Sequence, residues 1–137
     1  MPPRRKHEDV CFGCGGKNTQ GMHLAFEPSG DGALRTSLLV AEKYQGIPNL
    51  LHGGIISLVF DELMAAYCAH FDKRSLTASL SVKFVKPVRV GQTITFEAHL
   101  AGQRGGFLKL EGSATDEEGK EVAKAKALMK LVPRHDF

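Results

Sequence analysis

Residues 52–70 read HGGIISLVFDELMAAYCAH, and this stretch decides the fold. From Ile55 to His70 no glycine or proline interrupts it, so a continuous helix is predicted. Its apolar side chains point in all directions instead of along one stripe, which is typical of a helix buried on most sides. The sequence therefore predicts a central helix, and this helix contains two carboxylates, Asp61 and Glu62.

Strand patterns lie on both sides of the helix. Two strands are expected before it, around Met22–Glu27 and Leu34–Val40, with turn residues at 28–32 between them. After it, apolar and polar residues alternate in four runs, at 79–84, 94–100, 108–111 and 123–131. Turns at 90–92, 103–106 and 116–119 predict a meander of hairpins. The predicted class is α+β, with an antiparallel sheet curled around one helix.

The last alternating run is open to a second interpretation. Ala123, Ala125 and Ala127 alternate with Lys124 and Lys126, and both residue types favour helix. The alternation produces no helical stripe, so we expect a strand.

Length and charge restrict the kind of protein. The 137 residues fit one domain over 1–137, with residues 1–21 as an amino-terminal extension that contains glycine and cysteine. The net charge of +3 is mild and forms no basic stripe, so no nucleic-acid partner is expected. No apolar run approaches the ~20 residues of a membrane span. Arg4, Arg5 and Lys6 precede no apolar segment, so we expect a cytoplasmic protein without a membrane partner.

Asp61 is the first candidate for chemistry. Burying an unpaired charge in an apolar helix costs several kcal/mol. Either the carboxylate lies on a narrow solvent-facing strip, which requires no function, or it opens into a pocket as a general base or nucleophile.

The glycines before the helix are the second candidate. Gly53 and Gly54 allow a ligand to approach closely, and free N–H groups in the first helical turn favour developing negative charge. The alternative is a tight loop-to-helix junction beside an ordinary loop histidine, His52. Gly53 and Asp61 lie about 12 Å apart at ~1.5 Å per residue. If both are catalytic, they must come from different subunits, because each has to reach the same reacting centre.

The cysteines give a weak metal motif. Cys11 and Cys14 form one Cys-x-x-Cys pair, and the nearby His7 and His23 are loosely spaced from it. We therefore expect no metal site. Phosphate-loop, dinucleotide-binding and Gly-x-Ser-x-Gly motifs are also absent from the sequence.

Together these motifs resemble a known family. The sequence is similar to the phenylacetate-degradation type of hotdog-fold thioesterase, within the 4-hydroxybenzoyl-CoA thioesterase superfamily. The resemblance rests on His52-Gly53-Gly54-x6-Asp61-Glu62, on Cys11-Phe12-x-Cys14-Gly15-x2-Asn18-x2-Gly21-x-His23-Leu24, on Gln45-Gly46-x-Pro48, and on Leu80-Ser81-Val82-x-Phe84-x3-Val88.

The resemblance implies a hotdog fold and hydrolysis of an acyl-CoA thioester at the interface of a homodimer or homotetramer. It implies no metal and no cofactor, since CoA is part of the substrate. Asp61 matches the catalytic carboxylate, and Gly53 matches the backbone donor, with His52 beside it. Thr77 falls where relatives carry a hydroxyl residue that positions water.

One polar position departs from the family pattern. Some relatives have Asn or Gln six residues before the histidine, where this sequence has Gly46. Gln45 or Asn49 could substitute, and Asn49 is favoured because it is closer to His52.

The resemblance also implies a CoA groove formed by two loops. The residues assigned to it are Phe84, Val85, Lys86, Arg89, Arg104, Gly105 and Gly106, within the ranges 84–89 and 102–107. Arg89 and Arg104 could bind its phosphates. Two other functions stay open: a non-catalytic acyl-CoA-binding module of the same fold, and a hydroxyacyl dehydratase.

Overall fold

The computed structural model describes residues 9–30 and 32–133. The predictions that concern Arg4, Arg5, Lys6 and His7 lie outside these residues. One α-helix, six strands and a 3-10 turn at Glu42–Tyr44 are found in them. The elements are β1 (Glu27–Ser29), β2 (Ala33–Leu39), α1 (Gly53–His70), β3 (Ser75–Phe84), β4 (Thr93–Arg104), β5 (Phe107–Thr115) and β6 (Glu121–Leu131).

All six strands form one antiparallel sheet in the order β1-β2-β4-β5-β6-β3. Helix α1 contacts β2, β3, β4 and β6, so the sheet covers it on several sides. The predicted hotdog architecture is therefore confirmed. Phe60 of the helix packs edge-on against Phe96 of β4, with ring centroids 5.1 Å apart.

The helix is buried as broadly as its sequence predicts. Only Gly54 and Ala65 of its residues are exposed in the single chain. Its fully enclosed side chains include Val59, Phe60 and Leu63, each without measurable exposure. It begins two residues earlier than expected, at Gly53, because His52 caps it: the His52 Nδ1 accepts the Gly54 N–H at 2.8 Å.

The predicted strand at Met22–Glu27 is wrong in its position. Strand β1 covers Glu27–Ser29, and only Glu27 belongs to both. The expected alternation is present, since Leu24 is buried and Ala25 is exposed. However, the Met22 and Leu24 N–H groups donate to the carbonyls of Phe12 and Gly13, both at 2.8 Å. The amino-terminal segment therefore takes the hydrogen bonds that a sheet neighbour would make.

The meander prediction is wrong for its first hairpin. Strands β4, β5 and β6 follow one another as expected, but β3 pairs with β6, and β4 pairs with β2. The connection between β3 and β4 is hydrogen-bonded to the segments before the helix. The Leu51 N–H donates to the Val88 carbonyl and the Gly91 N–H to the Val40 carbonyl, both at 2.8 Å. These bonds carry the chain across to β2 and leave β3 at the edge of the sheet.

The ambiguous run at 123–131 is a strand, as predicted. Strand β6 pairs with β5 on one side and β3 on the other, so its small alanines lie in the interior of the sheet. Within the described residues, no helix is long and apolar enough to cross a membrane.

Candidate active site

Asp61 and Thr77 meet at one end of the edge strand β3. The Thr77 Oγ1 donates a hydrogen bond of 2.6 Å to Asp61 Oδ1. In the single chain Asp61 is partly buried and Thr77 is exposed. The carboxylate is therefore oriented by the hydroxyl and still accessible from outside the chain.

A bulge in β3 accompanies this contact. The pairing of β3 with β6 shifts register between Thr77 and Ser79. Bulges of this kind change the direction of a side chain and are common next to active sites. Sequence patterns gave no signal for the bulge, because threonine is ordinary in a strand and the irregularity belongs to the pairing.

The amino end of α1 opens onto a groove of about 500 Å³. Its walls come from the loop before the helix, the first helical turn and the segment after β3. The lining residues include Ile47, Leu50, His52, Gly53, Phe84 and Val85. The groove is thus mostly apolar, and the first N–H groups of a helix stand at its wall.

Close packing explains two of the glycines here. A Cβ on Gly53 would lie 3.3 Å from the Phe84 ring, and a Cβ on Gly46 would lie 3.0 Å from the His52 ring. A side chain at position 46 would therefore begin in close contact with the His52 ring. Because His52 Nδ1 accepts the Gly54 N–H, the neutral ring holds its proton on Nε2.

Phe84, Val85 and Lys86 line the groove, as the resemblance implies. The Lys86 Nζ, however, lies 2.7 Å from Asp116 Oδ2. Asp116 is buried, and its Oδ1 also accepts the backbone N–H groups of Glu118 and Lys120. The hydrogen bond from Lys86, followed by these N–H groups, holds the pKa of Asp116 below its usual range. Lys86 thus reinforces the wall of the groove through an ion pair.

The other predicted groove residues lie outside this cavity. Arg89 follows the lining residue Val88, and its N–H donates to Gln92 Oε1 at 2.7 Å. Arg104 is the last residue of β4, and Gly105 and Gly106 connect it to β5, where Gly105 has a positive φ of 59°. Within a single chain, the residues of 102–107 therefore do not line the groove that Phe84, Val85 and Lys86 line.

Asn49 is hydrogen-bonded within the loop before the helix. It adopts a positive φ of 71°, and its N–H donates to Gln45 Oε1 at 2.9 Å. The Asn49 carbonyl accepts the Val90 N–H at 3.0 Å. The two alternatives for the polar position, Gln45 and Asn49, are thus bonded to each other in the loop before the helix.

The site residues form two groups in one chain. Gly53 and Phe84 are in contact at the groove, and Asp61 and Thr77 are in contact at the other end of β3. Gly53 and Asp61 lie about 12 Å apart along the helix. Phe84 and Thr77 lie about 23 Å apart along strand β3. One chain therefore holds both halves of the predicted site but does not join them.

A third group was not predicted from the sequence as a unit. Cys11, Cys14 and Glu62 have their thiol and carboxylate atoms within 4.8 Å of one another. Burial, then the Glu62 charge and the contact with Cys11, raises the pKa of the Cys14 thiol. The Cys-x-x-Cys pair was recognisable, but Glu62 lies 51 residues after Cys11, so its proximity follows only from the fold.

The sequence of residues 48–123 matches the family model of the thioesterase superfamily. This range contains the helix and both halves of the predicted site, and it begins after Cys11 and Cys14. Among curated proteins, no sequence matches this chain.

Solved structures share the fold at low sequence identity. A hypothetical thioesterase from Streptococcus pneumoniae has a TM-score of 0.75 at 17% identity, covering 81% of this chain and 92% of that one. A Streptococcus mutans protein bound to acetyl-CoA gives 0.74 at 18% identity, with 80% and 88% covered. The Escherichia coli PaaI protein, from the phenylacetic acid degradation operon, gives 0.75 at 16% identity, with 82% and 81% covered.

Proposed function

Because this chain belongs to the thioesterase superfamily, we propose that it hydrolyses an acyl-CoA thioester to a free acid and CoA. The main support is the hydrogen bond between Thr77 and Asp61. A bulged strand directs the Thr77 hydroxyl at the carboxylate of a largely apolar helix. A module that only binds acyl-CoA gains nothing from a carboxylate oriented beside the thioester.

Gly53 is the proposed oxyanion donor. The Gly54 N–H is engaged by His52, which leaves the Gly53 N–H as the first-turn group at the groove wall. The thioester carbonyl accepts this N–H, which stabilises the charge that develops on its oxygen. His52 holds the turn in place through its hydrogen bond with the Gly54 N–H.

Asp61 acts on the thioester carbon in one of two ways. As a general base it takes a proton from water while the water oxygen attacks, and the C–S bond breaks to release the CoA thiolate. As a nucleophile it attacks directly, and water then hydrolyses the resulting anhydride. Thr77 orients the carboxylate in both routes.

A second copy of the chain completes the site in this proposal. Strand β3 is an edge strand, and its exposed residues include Leu76 and Phe84, at 48% and 53%. Two β3 edges that pair antiparallel place Thr77 of one chain opposite the Phe84 end of the other. The Asp61 of one chain then approaches the Gly53 of its partner. The minimum unit is a homodimer, and a tetramer of two such dimers contains the same sites.

The nucleotide end of the substrate is assigned to the basic loops. We place Arg89 and Arg104 on the CoA phosphates, where guanidinium groups bind phosphate oxygens well. The acetyl-CoA held by the similar Streptococcus mutans protein supports CoA as the ligand class.

Asn49 is proposed to position the loop before His52, through the hydrogen bond that its N–H donates to Gln45. No disulfide links the cysteines within the described part of the chain, which suits a reducing compartment such as the cytoplasm.

The test is thiol release from a panel of acyl-CoAs that varies in chain length and includes aryl groups. We expect turnover of at least one member, with kcat/KM above ~10⁴ M⁻¹s⁻¹ for a preferred substrate. The panel should also include an enoyl-CoA, whose hydration without thiol release would identify a dehydratase. Tight binding of acyl-CoA without release of thiol would identify a binding module and overturn the proposal.

A further inference from the structure

A cluster of metal-binding groups lies at the junction of the amino-terminal segment and helix α1. From this cluster we propose that Cys11, Cys14 and Glu62 form a binding site for a divalent cation of the zinc class. The site is independent of thioester hydrolysis. It departs from the expectation from sequence, which counted one Cys pair and found no third ligand close to it in the chain.

Distances within the cluster fit a tetrahedral cation. The Cys11 Sγ lies 3.3 Å and 3.5 Å from the two oxygens of Glu62. With Zn–S near 2.3 Å and Zn–O near 2.0 Å, two tetrahedral ligands are separated by about 3.5 Å. All three side chains place a ligand atom within 4.8 Å of the others. The three ligand atoms are therefore close enough together to share one cation.

The backbone around the cluster is shaped to bring Glu62 inside it. A Cβ on Gly13 would overlap the Glu62 carboxyl group, and a Cβ on Gly15 would overlap the backbone of Asp9 and Cys11. The Gly15 N–H donates to the Cys11 carbonyl at 2.8 Å, which closes the turn between the two cysteines. Glycine at both positions allows the turn to wrap around the carboxylate.

The ligand chemistry selects the metal. Two thiolates favour zinc over hard cations such as magnesium and calcium, while a carboxylate oxygen is also an accepted zinc ligand. On binding, each thiol loses its proton to solvent and the sulfur donates a lone pair to the cation. Among the residues that the structure describes, these three side chains supply the ligand atoms of the cluster.

Glu62 and Asp61 are adjacent but project about 100° apart around the helix. Asp61 points to Thr77, whereas Glu62 points to the cysteines. A bound cation would fasten the amino-terminal segment to the helix one residue away from Asp61. Its expected effect is on stability, because metal ligands from distant parts of a chain restrict unfolding.

The test uses the full-length chain, purified under reducing conditions with its affinity tag removed. Metal analysis after gel filtration should find about one zinc per chain. Cobalt(II) titration of the metal-free protein should produce a thiolate-to-cobalt charge-transfer band and the strong visible bands of tetrahedral cobalt. Zinc should raise the melting temperature of the wild type, and a chelator should reverse this rise.

Three variants and one control define the ligands. Cys11→Ser and Cys14→Ser should each weaken cobalt binding by more than the roughly 10–100-fold that loss of an outer-shell partner costs. Glu62→Gln keeps the side-chain size and should retain a weaker charge-transfer band. Cys68→Ala is the matched control, since Cys68 is a fully buried core thiol, and its cobalt spectrum should equal that of the wild type.

Four results would overturn the site. The first is a reduced wild-type protein that takes up no cobalt, which needs no variant to interpret. The second is a Glu62→Gln protein with wild-type cobalt affinity. The third is wild-type cobalt affinity and a charge-transfer band of wild-type intensity in both Cys11→Ser and Cys14→Ser. A disulfide between Cys11 and Cys14 that persists in the presence of a strong reductant also contradicts it, because those sulfurs could not bind metal.

Discussion

Individual residues differ in how far the sequence alone could identify them. Asp61 breaks the apolar pattern of its helix, and Gly53 and Gly54 break the helix-forming pattern at its start, so local inconsistency pointed to both places. Thr77 has no such signal. The hydrogen bond from Thr77 to Asp61 depends on a bulge and on helix-to-sheet packing, which single-residue patterns do not encode.

Replacing Asp61 with Asn tests the carboxylate directly. The substitution is nearly isosteric but removes the charge and the base, so kcat should fall at least about a hundredfold. Steady-state thiol release measures the effect, and circular dichroism checks the fold. Glu118→Gln is the matched control, because this surface carboxylate is 76% exposed. Near-normal hydrolysis by the Asp61→Asn protein would end the assignment and make Glu62 the next residue to test.

Thr77 offers a sharper substitution pair. Thr77→Val keeps the shape and removes the hydroxyl, whereas Thr77→Ser keeps the hydroxyl. A hydrogen bond to a charged group contributes about 1.5–3 kcal/mol, so kcat of the valine variant should fall about ten- to hundredfold. The serine variant should stay within a few-fold of wild type. Equal activities for valine and serine would show that the hydroxyl plays no part in turnover.

Among the elements, those defined by local pattern were predicted well. Helix α1 follows from an uninterrupted apolar run and strand β6 from alternation, and each begins within two residues of its predicted start. Strand β1 was displaced because the segment before it bonds to Phe12 and Gly13, and alternation does not reveal which neighbour accepts those bonds. The crossing between β3 and β4 was missed for the same reason. Pairing partners are set by the whole chain.

The hairpin between β5 and β6 allows a prediction about pH. Asp116 has a pKa below the ordinary 3.8, caused first by the hydrogen bond from Lys86. A carboxylate with a lowered folded pKa stabilises the protein fully above the unfolded value and loses this contribution as pH falls through the folded value. Asp116→Asn should therefore lower the melting temperature at pH 7, and the difference from wild type should shrink below pH 3.8.

Differential scanning fluorimetry across this pH range measures the Asp116 effect. Glu118→Gln, on the same hairpin but exposed, should show no comparable change with pH. A constant difference between wild type and Asp116→Asn at all pH values would mean that packing, and not the ion pair with Lys86, stabilises the hairpin.

The two basic loops allow a prediction about the substrate. If Arg89 and Arg104 bind phosphates, Arg→Ala at each position should raise KM for acyl-CoA and leave kcat mostly unchanged, because the contact is equal in ground and transition states. The effect should diminish as salt rises, since exposed ion pairs are screened.

A truncated thioester without the nucleotide is the control for these arginines. Wild type and both variants should hydrolyse it equally well. If both variants keep the wild-type KM for full acyl-CoA at low salt, the phosphate contacts have been assigned to the wrong loops.

At the scale of the whole molecule, strand β3 forms one edge of the sheet and has no neighbouring strand on its outer side in the single chain. The sequence predicted a shared site from the helix length alone, because Gly53 and Asp61 are about 12 Å apart. It could not identify the edge through which two chains would share it. The fold supplies this edge by placing β3 last in the sheet, with Phe84 at one end and Thr77 at the other. Complementation between two inactive chains tests the arrangement.

Gly53→Pro removes the proposed donor N–H with little cost to the helix. Gly53 is the first helical residue, where proline is well tolerated. His52 before it has φ −65° and ψ 131°, which is the extended conformation that a residue before proline prefers. Gly53→Ala is the matched control, since it adds the same Cβ near the Phe84 ring and keeps the N–H. The proline variant should be nearly inactive, while the alanine variant should retain activity.

Chains with Gly53→Pro and with Asp61→Asn are then co-expressed with different tags, and the heterodimer is isolated through both tags. A twofold dimer has two equivalent sites. In the heterodimer one site combines the intact Gly53 of one chain with the intact Asp61 of the other, while the second site has both defects. The heterodimer should therefore recover about half of the wild-type kcat per dimer, although each parent homodimer is nearly inactive. If a verified heterodimer stays as inactive as its parents, the two halves of the site do not meet across the subunit interface.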